Sequence, residues 1–275
     1  MKNKIFIIIF VLFFNNLIFD NISAIEDFEF NVTEIEITDS GNIYKGLKRG
    51  TISTKDGVEI NADKFTYNKE TNVILAQGSV EYNDKINGYK IFSNEIEYKK
   101  NDEEIFSKGA TKFLIETKYT FNSSNITFFK NKMQLSSNNF SRLNDNNSNT
   151  FEFENFTYFI KEELLKAKKI KINLYKEDKD TFDTIYLLSG FFNLKETSYL
   201  AENTEIYLHK NIFDNSENEP RLFGTSSNLK NSITTINKGI FTSCKKTDKC
   251  PPWSIKAEKI KHDKLKKNLY MIMQF

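Results

Sequence analysis

The sequence predicts an all-β protein in which antiparallel strands stack along one axis. Two observations lead to this prediction. First, the segment Ala62–Gly78 (ADKFTYNKETNVILAQG) is repeated 31 residues later as Ser93–Gly109 (SNEIEYKKNDEEIFSKG), and a looser third copy begins at Ser124. A phrase repeated at a fixed period is typical of one supersecondary unit stacked on copies of itself. Second, the chain contains 26 Phe and 12 Tyr residues, which favour strands over helices.

The first segments of the chain alternate between apolar and polar residues. Within Phe28–Ile37 most apolar residues recur at every second position, which is typical of a half-buried strand. Gly57 then opens the first full repeat. In the strand that follows, Val58, Ile60 and Ala62 are expected to share one face, because successive side chains of a strand point to opposite sides.

A polar turn and a return strand complete the first repeat. The turn is Asn68–Asn72 (NKETN), and the return strand runs through Val73 and Leu75 to Gly78. Val80 begins the next strand. The unit is therefore expected to be a strand, a turn, a second strand and a glycine.

The second and third copies follow the same plan. The second copy places Ile91 and Ile96 in its first strand, turns at Lys99–Glu104 and returns to Gly109. The third copy turns at Lys130–Lys132. Each copy is thus expected to add one more hairpin to the stack.

Two later segments are less regular. Asn138–Asn149 is polar and rich in Asn, so it is either a long turn or a disordered insert. Lys161–Ile172 (KEELLKAKKIKI) has some helical propensity, and a short helix is the alternative there. We favour strand, turn and strand, because Ala167–Tyr175 repeats an Ala-x-x-Ile phrase and ends in alternation.

Residues 1–24 have the pattern of a secretory signal peptide. Lys2 and Lys4 form a basic start, Ile5–Phe14 is an apolar stretch, and Asn21–Ala24 (NISA) ends in a small residue suited to cleavage. We expect cleavage before Ile25 and export from the cytoplasm. An uncleaved anchor is the alternative, but a spanning helix needs about 20 apolar residues and polar residues interrupt this stretch too early.

The sequence contains no recognisable set of catalytic residues. Nucleophile-elbow, zinc-protease, phosphate-binding-loop and dinucleotide-binding motifs are all absent from it. His209 and His262 are not at ligand spacing to Cys244 or Cys250, so no zinc site is expected. With 39 Lys and Arg against 37 Asp and Glu, the net charge of +2 gives no reason to expect nucleic-acid binding. We therefore expect a protein that is not an enzyme and that uses no metal or other cofactor.

The repeated strands would enclose a continuous apolar interior. Its candidate lipid-facing residues are Val58, Ile60, Ala62, Val73, Leu75, Val80, Ile91 and Ile96. If the two layers of strands pack tightly, this interior is only a core. If they splay, it becomes a groove that shields acyl chains at about 25 cal/mol per Å² of apolar surface removed from water. The sequence leaves both alternatives open. Strands at the ends of the stack would have unpaired edges, which either aggregate or pair with a partner.

Two regions resemble proteins of lipopolysaccharide transport. Glu59–Tyr82 (EINADKFTYNKETNVILAQGSVEY) is similar to the OstA-type repeat that several of these proteins share. The tail contains four motifs: PRLFG (Pro220–Gly224), GIFTSC (Gly239–Cys244), Pro252–Trp253 and IKAEKIKHD (Ile255–Asp263). In this order they resemble the end of the periplasmic domain of the LptD family of lipopolysaccharide-assembly proteins. The resemblance covers most of the chain after residue 24 and is weak between residues 110 and 215.

The resemblance to LptD implies an OstA-like β-jellyroll, or β-taco, over residues 25–240, with an interior that carries the acyl chains of lipopolysaccharide. Residues 241–275 would then be a junction leading into an outer-membrane barrel that this chain lacks, as in a truncated or split gene. The implied location is the periplasm or the periplasmic face of the outer membrane. The implied partners are lipopolysaccharide or its lipid A, an LptA-like bridge protein paired through an edge strand, and an LptE-like lipoprotein only where a barrel is present.

The two cysteines and the alternative functions remain open at this stage. In an exported protein Cys244 and Cys250 are expected to be oxidised or to await a partner. The resemblance implies that Cys244 pairs with a cysteine of the barrel. Without the barrel, Cys244 either pairs with Cys250 across a small loop or both have lost their partners. The alternatives to an LptD-like assembly module are a free-standing LptA-type bridge protein and a structural β-solenoid without a lipid ligand.

Overall fold

A computed structural model describes residues 28–116, 118–175, 181–213, 215–247, 252–263, 265–266 and 268–273. The predicted signal peptide and Cys250 lie outside these ranges. The first strands are β1 (Phe28–Asn31), β2 (Ile35–Thr38), β3 (Ile43–Gly46), β4 (Gly50–Thr54), β5 (Val58–Ala62), β6 (Lys64–Asn68), β7 (Val73–Asp84), β8 (Tyr89–Lys99), β9 (Glu104–Ile115) and β10 (Tyr119–Phe129). The later strands are β11 (Gln134–Ser137), β12 (Ser141–Asp145), β13 (Thr150–Phe159), β14 (Leu164–Tyr175), β15 (Phe182–Asn193), β16 (Ser198–Tyr207), β17 (Arg221–Lys230), β18 (Ile233–Thr242), β19 (Ile255–Asp263) and β20 (Asn268–Ile272).

The helical content of the described ranges is three short 3₁₀ turns, at Asp39–Gly41, Lys100–Asp102 and Lys210–Phe213. No helix there has the length and hydrophobicity that a membrane crossing requires. The prediction of an all-β protein with antiparallel strands is confirmed. Lys161–Ile172 contains a turn followed by one continuous strand, β14, which begins at Leu164, so the segment is not a helix, but it lacks the predicted first strand. The polar segment Asn138–Asn149 contains the strand β12 and is therefore not simply a loop.

All the strands described belong to one antiparallel sheet. From β7 to β10, each strand forms a hairpin with the next. Shorter strands share one position in two places. β5 and β6 both pair with β7, and β11 and β12 both pair with β10 and β13. The sheet continues without a break through β18, β19 and β20, so the strands of the predicted junction extend the same sheet.

In most long strands the buried residues switch from odd to even positions, or the reverse, near the middle of the strand. In β8 the buried side chains are Tyr89 and Ile91 before this point and Ile96 and Tyr98 after it, so alternation is broken once. The hydrogen-bonded register of β8 with β9 shifts at the same place. A β-bulge has this effect, because it adds one residue to a strand and bends it. Residues with positive φ mark the bend in seven strands, at Ser79, Gly109, Asn125, Asn155, Lys169, Asn203 and Lys238.

These bends fold the sheet along its midline, so that its two halves face each other. Rings from opposite halves meet in the interior. The ring centroids of Tyr89 and Phe128 are 5.7 Å apart, and those of Tyr119 and Tyr158 are 6.1 Å apart. The core lies between the halves, and its largest fully buried side chains are Tyr82, Tyr98, Tyr158, Phe65, Phe113, Phe121, Phe128, Phe153 and Phe156.

The hairpin turns form two rims, one on each half of the folded sheet. We call the turns at 69–72, 100–103, 130–133, 160–163 and 194–197 the first rim. Those at 55–57, 85–88 and 145–149, together with Glu116 and Lys118, form the second rim, and the line where the rims meet is the seam. Turns of the first rim are stacked by backbone hydrogen bonds: the Lys100 N–H donates to Asn72 O (3.1 Å), and the Lys130 N–H donates to Glu103 O (2.9 Å). The sequence repeat is therefore a stack of hydrogen-bonded hairpins.

Candidate lipid-binding site

Most of the predicted interior residues do lie between the halves of the sheet. Six of them are buried in the core: Val58, Ile60, Ala62, Val80, Ile91 and Ile96. For Val73 and Leu75 the prediction of an interior position is wrong. Both are only partly buried, and the interior positions of this part of β7 belong to Ile74 and Ala76.

The error at Val73 and Leu75 has a physical cause. The segment Val73–Ala76 (VILA) is apolar at every position, so its pattern does not show which parity faces inward. In the structure the parity follows the pairing with β6, which places Ile74 opposite Tyr67 and Ala76 opposite the buried Phe65. A shift of one residue in a strand moves every side chain to the other face.

The seam of the first repeats is closed by ion pairs between the two rims. Lys130 of the first rim is largely buried (11% exposed) and contacts Asp56 of the second rim. Lys100 lies 3.4 Å from the same carboxylate and 2.6 Å from Glu103. The fully buried Asp84 lies 3.9 Å from Lys130. Lys100 and Lys130 of the first rim therefore form ion pairs with a carboxylate of the second rim, that of Asp56.

The charges at the seam change the titration of Asp56. Burial alone would raise the pKa of this carboxyl group. Hydrogen bonds from Lys130 and Thr54, together with the positive charges of Lys130 and Lys100, outweigh burial and hold the pKa of Asp56 well below its ordinary value. Asp56 is consequently ionised at neutral pH, as the ion pairs require.

A second contact closes the seam one step further along. Glu163 of the first rim accepts a hydrogen bond from the Tyr119 hydroxyl group (2.9 Å), and Lys118 Nζ lies 3.2 Å from its other oxygen. Burial and this hydrogen bond raise the pKa of Tyr119 above its ordinary value, so its hydroxyl group stays protonated and donates. We call the contact among Glu163, Lys118 and Tyr119 the clasp.

An apolar cavity of about 220 Å³ lies beside the clasp, between the two halves of the sheet. Its apolar lining consists of Phe151, Ile172, Leu174, Ile185, Phe192, Leu194, Tyr199 and Leu229. Its polar lining comes mainly from turns of the two rims and consists of Lys118, Tyr119, Asp145, Asn146, Asn147, Asn149, Asn193, Thr197 and Ser198. The cavity therefore has an apolar body and a polar mouth at the seam. None of the eight predicted interior residues lines it.

The four tail motifs are brought together around one corner of the sheet. Arg221 donates to the carbonyl oxygens of Cys244 and Glu219. The Thr242 hydroxyl group donates to Trp253 O (2.8 Å). Cys244 forms no disulfide with any residue that the structure describes. Because Cys250 lies outside the described ranges, a disulfide between the two cysteines remains a prediction.

The histidines occupy structural positions. His209 Nδ1 lies 2.9 Å from the buried carboxylate of Asp183. His262 is buried in β19, and Asp263 accepts hydrogen bonds from the backbone N–H groups of Leu265 and Lys266, which fixes the turn into β20. Within the described ranges, no group of three or more His, Cys, Asp or Glu side chains is placed to hold a metal ion.

The ends of the sheet expose apolar strand residues. At one end β2 pairs, among the described strands, only with β3, and its side chains Ile35 and Ile37 are exposed. At the other end β19 is the single described partner of β20, which exposes Tyr270 and Ile272. Each end of the described sheet therefore offers an edge of the kind that a further strand can join.

Sequence reasoning did not find the seam ion pairs or the cavity. Asp56 is 44 and 74 residues away from Lys100 and Lys130, and side-chain patterns within a strand carry no information about such pairs. One signal was present: Lys100 and Lys130 are 30 residues apart and begin successive turns of the first rim. A charge that recurs in successive turns, close to the 31-residue period, indicates a ladder along one rim.

The chain resembles known proteins in fold rather than in sequence. The sequence matches no protein-family profile and no curated protein. Among solved structures, the fold is similar to that of LptH from Pseudomonas aeruginosa, described as the LptA-homologous periplasmic component of the conserved lipopolysaccharide transport device. The identity is 17%, the TM-score is 0.39, and the match covers 43% of this chain and 95% of that one. Similarity at this level supports no inference about a ligand, and the fold described above stands on its own strand pairing.

Proposed function

We propose that this protein is a non-enzymatic carrier that holds acyl chains of lipopolysaccharide between the two halves of its folded sheet during transport to the outer membrane. The single observation that carries the proposal is the apolar cavity that reaches the seam beside the clasp. A packed structural solenoid has no need of such a space, whereas an acyl-chain carrier does. The OstA-like phrase at Glu59–Tyr82 and the tail motifs support the same proposal.

The size of the cavity sets what it can hold without a change in the fold. Ligand pockets commonly measure about 300–1,000 Å³, so a space of about 220 Å³ suits part of one acyl chain. At about 0.8 kcal/mol for each buried methylene, a segment of about six methylenes would gain about 5 kcal/mol. A whole lipid would require the clasp to open, so that the two rims part and the interior of neighbouring strands becomes accessible.

The unpaired edges suggest how partners would be joined. We propose that an LptA-like bridge protein adds a strand to β2 at one end or to β20 at the other, since main-chain hydrogen bonds at an exposed edge are a common mode of recognition. An LptD-like role would place the tail next to a barrel. An LptA-type role would place another bridge module there. Either role uses the same interior.

Photo-crosslinking tests the proposal. A photoreactive amino acid at Leu194, which lines the cavity, should capture lipopolysaccharide in cells. The same residue at Leu200, which is exposed on the outer face, should not. Capture of lipid at neither position, or equally at both, would overturn the proposal. The packed core position Ile96 serves as a second control and should give lipid adducts only if the seam opens along its whole length.

A further inference from the structure

The mouth of the cavity is built from two turns that present mostly uncharged polar groups. The second rim contributes Asn146 and Asn147, the first rim contributes Thr197, and Ser198 follows at the start of β16. Asn146, Asn147 and Thr197 are exposed, so their amide and hydroxyl groups are accessible to a ligand that enters the cavity. Amides and hydroxyls both donate and accept hydrogen bonds, and they suit a neutral head group with the same chemistry.

The charged groups at the mouth are already engaged. Lys118, the one cation among the described residues that line the cavity, lies 3.2 Å from Glu163. The carboxylate of Asp145 accepts hydrogen bonds from the N–H groups of Asn147 (2.8 Å) and Asn149 (2.9 Å) and from the side chain of Asn149 (2.9 Å). The positive charge of Lys118 is thus outnumbered by the two negative charges of Glu163 and Asp145. The resulting local charge is negative, which disfavours a phosphate group.

We propose that the mouth selects a single acyl chain whose attached head is uncharged and rich in hydroxyl or amide groups, and that it excludes phosphate. This inference rests on the proposed function. It states which part of an acylated sugar enters: the chain and its neutral sugar-linked end, with any phosphate held outside the mouth. The apolar body of the cavity accounts for the chain, and the amides of the two turns account for the head.

Three amphiphiles with the same dodecyl chain test this selectivity: dodecyl maltoside, dodecyl phosphate and dodecyltrimethylammonium. Each is titrated into the full chain by isothermal calorimetry below the concentration at which it forms micelles. We expect the maltoside to bind at least tenfold more tightly than the phosphate, a difference of about 1.4 kcal/mol. Equal or tighter binding of the phosphate, or tighter binding of the ammonium compound, would overturn the inference.

A charge variant provides an independent test of the cause. Glu163→Gln leaves Lys118 without its carboxylate partner, so the preference for the maltoside over the phosphate should fall below threefold. Glu154→Gln removes a carboxylate that pairs with Lys169 on the outer face (2.7 Å), and it should leave the preference unchanged. If the preference survives Glu163→Gln in full, the charge explanation is wrong.

The two proposals fail in different ways. If none of the three amphiphiles binds, the cavity holds no acyl chain, and both the proposed function and this inference fail. If all three bind with similar affinity, the proposed function stands and only the selectivity of the mouth is wrong.

Discussion

The ion pairs across the seam predict a large effect of one lysine. Lys130→Met keeps the length of the side chain but removes the charge that faces Asp56 and the fully buried Asp84. Breaking a fully buried pair on one side costs about 3–5 kcal/mol, because a buried charge is left uncompensated. Asp56 is 42% exposed, and Asp84 keeps a hydrogen bond from the Asn87 N–H group (2.9 Å). We therefore discount the cost to about 2–3 kcal/mol.

The assay for Lys130→Met is thermal unfolding followed by circular dichroism. For a domain of this size, about 2–3 kcal/mol corresponds to a fall in the melting temperature of about 5–10 °C. Hydrogen exchange in the turns at 100–103 and 130–133 should become faster, because these turns hold the seam. Lys132→Met is the matched control: this lysine is exposed in the same turn and lies over the Phe129 ring (4.9 Å), so its loss should cost less than about 1 kcal/mol. Equal effects of the two substitutions would refute the assignment of the seam.

Three further predictions follow from the same geometry. Because the pKa of Asp56 is lowered in the folded protein, its ionised carboxylate should contribute its full stabilisation above the pKa of about 4 that it has in the unfolded chain, and this contribution should disappear as the pH falls towards the folded pKa. Asp56→Asn should therefore flatten this part of a plot of melting temperature against pH. Gly78→Ala and Gly109→Ala both place a side chain at a positive φ (78° and 77°), but only at Gly78 would the new Cβ also lie 2.9 Å from Asp63 Cβ. Urea unfolding should therefore show that Gly109→Ala lowers the free energy of unfolding by about 1 kcal/mol and that Gly78→Ala lowers it clearly more. Ile185→Trp should fill part of the cavity and weaken dodecyl maltoside binding more than tenfold in calorimetry, with an unchanged circular dichroism spectrum.

The strands and turns could be predicted from the sequence because they are local. Alternation identified β5, the repeat placed Ile91 and Ile96 in one strand, β8, and the polar clusters at Asn68–Asn72 and Lys99–Glu104 identified two turns of the first rim. The period of the repeat predicted the stacking that the hydrogen bonds between these turns show. Each of these features depends on residues within one hairpin or on the nearest copy.

Two features could not be predicted in the same way: which side chains of each strand face the interior, and where the cavity lies. The bulges reverse the buried parity within one strand. In β14 the residue with a positive φ is Lys169, and lysine does not favour a left-handed backbone, so no signal in the sequence marks this bulge. The cavity is lined by side chains of β13, β14, β15, β16 and β17, which leave a space between the two halves of the sheet. That space exists only after the sheet has folded over, and no local pattern encodes it.

The most direct test of the central claim is to locate a bound acyl chain by NMR. With methyl-labelled Ile and Leu side chains, intermolecular contacts of the dodecyl maltoside chain should appear at Ile185, Leu194 and Leu229, which line the cavity. Contacts confined to Leu188 and Leu200, which are exposed on the outer face, would contradict a lipid site between the two halves of the sheet.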